Sequence, residues 1–203
     1  SDGDSEGVGE WCLMASGSWL GTGGDTPAHM SAWCKSEMGW LNPTVLSSSA
    51  NGIEIPEIET QPYALKIWED DFEFDRYFLI ENRQAIGFDS DINGTGLLIY
   101  HIEESRRYGA SFFSGGPVND DSAHKLVDLE EADGAQDIGF ESFFAFNDPS
   151  SGYFGDVWFN GNVEYNRANP SMKGLKPRFG PDTYPNTNAN NQSETFIVVD
   201  NIS

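Results

Sequence analysis

Three histidines, two cysteines and several oxygen-rich turns are the residues of this chain that could do chemistry. A catalytic zinc held on a helix needs two imidazoles one turn apart with a glutamate beside the first, the His-Glu-x-x-His arrangement. His29, His101 and His124 offer no such spacing, so a site of that kind is not in this sequence. The carboxylates suit a hard cation better, since calcium gathers roughly six to eight oxygens. Glu131, Asp133 and Asp137 surround the tight turn at Gly134 and, with backbone carbonyls, are the leading calcium candidate. Asp2, Asp4 and Glu6 alternate like the first half of a calcium loop, and Asp89, Asp91 and Asn93 repeat the pattern ahead of Gly94. Neither is an EF-hand, because the twelfth position, where a bidentate glutamate belongs, is Leu13 in the first and Tyr100 in the second. At all three places a solvated acidic turn is the alternative. Carboxylates alone are the wrong ligands for a catalytic zinc.

These residues must be positioned by a folded chain. The 203 residues are 38% hydrophobic and 13% aromatic, enough to build a core. Eleven Lys and Arg against 33 Asp and Glu leave a net charge of −22, which repels phosphate backbones and anionic membrane surfaces and excludes nucleic-acid binding. Thr26 as N-cap, Pro27 at the first position and Gly39 as left-handed stop predict a helix, with Met30, Trp33, Cys34, Met38 and Leu41 on its inward stripe. Glu37 lies on the same stripe, either buried with a partner or at the frayed end. Trp11-Cys-Leu-Met-Ala-Ser-Gly-Ser-Trp19 reads as a tight turn, and Ser47 to Gly52 as a turn or linker. Strands are expected around Ile53 to Ile58, at Tyr63–Trp68, and most strongly at Arg76–Arg83 and Gly96–Glu103, whose continuous apolar runs belong in the middle of a sheet. Asn160 to Gln192 has no clear period and reads as ordered loop, and Ser193 to Ser203 as a closing strand. The expected fold is α+β, mainly β.

The Trp11–Trp19 run and Pro27-Ala-His-Met-Ser-Ala-Trp-Cys-Lys35 resemble the secreted zinc metallopeptidases of the immune inhibitor A family. So do Tyr77-Phe-Leu-Ile-Glu-Asn-Arg-Gln84, the Gly94–Ile102 segment, the His124–Asp137 segment and the Asn-Ile-Ser ending, in the family's order. The resemblance implies a methionine-turn plus helix segment followed by an antiparallel β-rich domain with long ordered loops. It divides the chain into 1–44, the C-terminal end of a metzincin-like catalytic subdomain, and 45–203, the β-rich region. Met14 would be the turn methionine, a hydrophobic floor rather than a ligand, and a Met14 standing in solvent would break this account. The zinc and its His-Glu-x-x-His ligands would belong to a preceding N-terminal catalytic segment of the same precursor, with a peptide as substrate. Glu81, Asn82, Arg83 and His101 would line the cleft or hydrogen-bond to one another. If the helix packs behind the turn, Cys12 and Cys34 could meet in a disulfide, and two separate thiols are the alternative. The implied function is the C-terminal portion of a secreted zinc endopeptidase, inactive by itself. The other reading is a non-catalytic, calcium-stabilised extracellular β domain that binds through Phe112, Phe113, Phe143, Phe144, Trp158 and Phe159.

Overall fold

The computed structural model describes residues 7–68, 76–109, 119, 121, 122, 124–140, 149–188 and 193–203. Its two longest strands follow directly from composition. Arg76–Arg83 (β3) and Gly96–Glu103 (β4) are rich in β-branched and aromatic residues, and they pair antiparallel from Arg76 opposite Glu103 to Arg83 opposite Gly96. Side chains of a strand alternate between faces. Tyr77, Leu79, Leu98 and Tyr100 enter one core, while Phe78, Ile80 and Ile99 enter another. Because both faces are buried, the sequence shows no polar alternation. Thr44–Leu46 (β1), Leu65–Trp68 (β2) and Val127–Leu129 (β5) complete a five-stranded sheet in the order β1-β2-β3-β4-β5. Only β1 and β2 run parallel, so the fold is α+β and mainly β around a mostly antiparallel sheet.

Each face has its own cover. Val8, Trp11, Cys12, Ala32 and Leu41 pack on one side, and Trp158, Tyr165, Phe179 and Ile202 on the other. Trp11 and Trp158 are both fully buried, and burying an apolar side chain that large stabilises by roughly 2–3 kcal/mol. The sheet is thus the middle of three layers. Residues between Val8 and Leu41 share a core with it, and the boundary expected after residue 44 falls at the start of β1.

Helix α1 is shorter than its sequence pattern, at Ala32–Glu37. Its N-cap is Ser31, whose hydroxyl accepts from the Cys34 N–H, and not Thr26. The residues between are extended because their backbone is engaged elsewhere: Ala28 N–H donates to the Gly17 carbonyl, His29 carbonyl accepts from Leu13 N–H, and His29 N–H donates to Asp89. The expected stop holds. Gly39 has φ of 71°, its N–H donates to the Ser36 carbonyl, and Trp40 N–H donates to the Lys35 carbonyl, which closes a Schellman motif. Trp33 and Cys34 pack on the core and Leu41 is buried, but Met38 faces solvent. Glu37 ends the helix in an ion pair with Arg107, 2.6 Å away.

Other elements depart from expectation. Residues 53–58 form no strand. Pro56 removes a donor there, Glu57 makes a single bridge to Asn82, and β1 takes the place beside β2. The closing segment makes one bridge, Val199 to Phe179, rather than a strand. Within the stretch expected as loop lies helix α3, Val163–Ala168, capped by Asn162, whose side-chain oxygen accepts from the N–H groups of Glu164 and Tyr165. Helix α2, Arg106–Gly109, follows β4. Among the described residues no helix is long and apolar enough to cross a membrane.

Candidate metal centre and the cluster beneath the first turn

Two groups of buried carboxylates flank Trp11. The first is organised by Arg83, at the end of β3, which is fully buried. Its Nε and Nη2 donate to the two oxygens of Asp89 at 2.9 and 2.8 Å, and Nη1 donates to Glu81 at 3.1 Å and to the Trp11 carbonyl at 2.9 Å. Nη2 also reaches the His29 carbonyl at 3.4 Å, and Glu59 lies 3.3 Å from Nε. Tyr100 donates its hydroxyl to Glu81 at 2.8 Å. Burial works against the Arg83 charge, but Glu81 and Asp89 hold its pKa above the ordinary value. Glu59 is pushed up to about 7, first by burial and then by its hydrogen bond with Asp89. Lys35 adds a second buried cation whose ammonium donates to the Ile58 carbonyl.

This cluster settles several expected roles. Glu81 and Arg83 hydrogen-bond to one another rather than face a cleft. Asn82 donates to the Ile55 carbonyl, and His101 sits buried against Phe78 with Nδ1 3.7 Å from Glu130. Asp89, Asp91 and Asn93 do not converge as calcium ligands. Asp89 is taken up by Arg83 and His29, Asp91 accepts from the Thr26 hydroxyl, and Asn93 donates to Glu10 and to the Gly152 carbonyl. Asp2, Asp4 and Glu6 lie outside the described residues, as do Phe112, Phe113, Phe143 and Phe144. Trp158 is fully buried and Phe159 partly so.

The second group lies at the turn after β5. Glu131 is fully buried and accepts from the N–H groups of Asp137 and Ile138, both at 2.9 Å. Asp133 accepts from the Tyr153 hydroxyl at 2.6 Å and from Ala135 N–H at 2.9 Å. The third carboxylate is Asp156, not the expected Asp137, whose backbone N–H caps Glu131. Asp156 ends the 3₁₀ turn Phe154–Asp156, and its Oδ2 accepts from the Trp11 indole at 3.1 Å and from Tyr153 N–H at 2.8 Å. One oxygen from each of Glu131, Asp133 and Asp156 lies within 4.8 Å of the others, the one such grouping among the described residues. Burial raises Glu131 to about 7 and Asp156 to about 9, with the negative neighbours adding to the rise at Asp156. A buried acidic triad able to hold a metal ion is therefore present. Its donors are all oxygen, which fits a hard cation and not zinc. Nothing local in the sequence pointed to Asp156, which stands in an aromatic stretch remote from the Gly134 turn.

The first turn itself differs from expectation in two ways. Cys12 and Cys34 do approach, with sulfurs 3.8 Å apart, but they are free thiols rather than the expected disulfide. The Cys12 sulfur accepts from the N–H groups of Met14 and Ser31, and its contact with the Cys34 thiol favours the thiolate, which lowers Cys12 and raises Cys34. Met14 is 64% exposed, against the expectation of a buried floor. The chain folds back over the Cys12 sulfur, so Cys12 turns inward and the side chain two positions on turns out.

No family model, no curated protein and no solved structure matches the chain.

Proposed function

We propose that this chain is the C-terminal supporting part of a secreted zinc endopeptidase, carrying the turn and the β scaffold but not the zinc ligands. The exposed apolar surface of the first layer carries this reading. Met14, Trp19, Met38 and Trp40, with Ile86 and Phe88 from the loop after β3, are large apolar side chains left in solvent. Large apolar side chains left exposed on one layer suit a surface that another protein segment covers. Met14 stands in solvent, the outcome that breaks its assignment as the floor of a zinc site, so that role is given up and the reading keeps only a supporting layer that another segment would cover. Arg83, bonded to the carbonyls of Trp11 and His29, braces the turn from below. A zinc held by that other segment would supply a polarised water for attack on a peptide carbonyl. In that reading the residues of this chain would hold the layer beneath it.

Calcium belongs to the same reading as a stabiliser of the scaffold and takes no part in the reaction. The acidic triad also favours a second reading, a non-catalytic calcium-stabilised extracellular β domain, which needs no covering segment. Intact-mass analysis of the native source separates the two. A longer polypeptide that contains a His-Glu-x-x-His segment and cleaves casein in a chelator-sensitive way is the expected result. These 203 residues alone should leave casein intact; proteolysis by them would overturn the assignment of the chemistry to another segment.

A further inference from the structure

We infer that Glu131, Asp133 and Asp156 bind one hard divalent cation of the calcium class, and that the bound cation ties the turn after β5 and the 154–156 turn to Trp11. The inference rests on the calcium part of the reading above and is independent of the peptidase part.

Asp156 carries the argument beyond a mere gathering of acids. It is fully buried, its Oδ2 is occupied by Trp11 and Tyr153, and its Oδ1 has no hydrogen-bond partner among the described residues. A cation at that oxygen would supply the partner it lacks. The other two ligands keep capacity for a metal. Each carboxylate oxygen can accept twice, and the oxygens of Glu131 and Asp133 have one hydrogen bond each. The Lys125 ammonium does not close the site: it is directed to the Ile138 carbonyl at 2.6 Å and to Asp128 at 2.7 Å.

Size and donor type choose the ion. The ligand oxygens lie within 4.8 Å of one another, which is about the span of two oxygens on opposite sides of one calcium at roughly 2.3–2.6 Å. Three carboxylates with no imidazole or thiolate disfavour zinc and copper. The site also reaches outward. Through Asp156 the cation meets the indole of Trp11, and through Asp133 it meets the hydroxyl of Tyr153. Trp11 is packed in the core under the sheet, so an ion here joins the first layer to the far end of β5.

Terbium, a luminescent calcium probe, tests this on the full chain, because Trp11 and Tyr153 are placed to sensitise it. The expected result is terbium emission on aromatic excitation that calcium displaces. Asp156→Asn and Glu131→Gln, both close in shape to the originals, should weaken binding at least tenfold, whereas Asp137→Asn should change it less than twofold. Circular dichroism confirms folding of each variant, and a calcium-dependent rise in the wild-type Tm is a further readout that needs no variant. Wild-type affinity in folded Asp156→Asn, or loss in Asp137→Asn instead, overturns the triad while leaving a calcium-stabilised scaffold standing. No calcium-displaced emission and no rise in Tm from the wild type overturns both. Failure of the longer polypeptide to cleave casein would sink only the peptidase reading.

Discussion

Trp11 stands between two solutions to one problem. Its backbone carbonyl accepts from Arg83 and its indole donates to Asp156, so one residue touches both buried acidic groups. In the Arg83 cluster, Glu59, Glu81 and Asp89 surround a covalently attached cation; Arg83, Tyr100 and backbone N–H groups meet four of their six oxygens, and Glu59 Oε2 and Glu81 Oε2 accept no hydrogen bond among the described residues. In the triad, Glu131, Asp133 and Asp156 enclose no cationic side chain of the described residues, and an oxygen of Asp156 is left without a partner. Burying carboxylates is costly unless charge is matched. The comparison teaches that the two groups differ in their cation more than in their hydrogen bonds: the Arg83 cluster has a positive charge of its own, while the triad draws on one from outside the chain.

The sharpest way to break this contrast is to remove the internal cation. Arg83→Met leaves three carboxylates buried without their partner and should cost about 3–5 kcal/mol, the usual penalty for breaking a buried pair. Denaturant unfolding measures it, and a loss below about 1 kcal/mol would show that the cluster is not what holds the first layer on the sheet. Next in size is calcium itself. At a concentration one hundred times its Kd the ion should stabilise the protein by about 2.7 kcal/mol, seen as a rise in Tm that a chelator reverses and that Asp156→Asn abolishes. No comparable ion effect should arise from the Arg83 cluster.

Protons distinguish the groups further. Glu59 titrates at about 7 in the folded protein, above its ordinary value of 4.5. Between those two values the folded state holds the proton more often than the unfolded one, so this group's contribution is fully present below pH 4.5 and is lost as pH rises through 7. Its slope reaches at most about 1.4 kcal/mol per pH unit. Glu59→Gln should flatten the stability profile over that window, with calcium held saturating so that the triad does not move; an unchanged slope would remove Glu59 as the proton carrier. Smallest is the loss of a single bond. Tyr100→Phe takes one hydrogen bond from Glu81 and should cost about 1–2 kcal/mol. A neutral result would mean that Arg83 alone satisfies that carboxylate.

Much of the fold was legible. β3 and β4 were readable to the residue because a strand buried on both faces carries a continuous apolar run, here Tyr77–Ile80 and Leu97–Tyr100, and Gly39 marked the stop of α1 because few other residues adopt positive φ cheaply. The start of α1 was hidden for a physical reason: Thr26-Pro27 is a good local cap, but the residues after it are claimed by Gly17, Leu13 and Asp89, partners that no local pattern reveals. Helix α3 had a usable signal, Asn162 followed by Glu164 in the first turn, obscured by the surrounding Asn, Pro and Gly.

The candidate sites divide in the same way. Glu131 and Asp133 could be read beside Gly134, since a tight turn brings near neighbours together. Asp137 was drawn in by proximity along the chain, whereas the structure uses its backbone and recruits Asp156 for the carboxylate. Likewise Asp89 has the spacing of a loop ligand, yet in the folded chain Arg83 occupies it.

By itself the sequence determined what local chemistry can dictate: an acidic chain, a core of two long apolar strands, turns where glycine permits them, and no His-Glu-x-x-His zinc site. Only the tertiary structure decided which carboxylates are neutralised from within, that Cys12 faces inward while Met14 faces out, and that Asp156 joins Glu131 and Asp133. The reason is that burial and pairing depend on segments far apart in the chain, and a carboxylate has the same letter whether an arginine or an open coordination site awaits it.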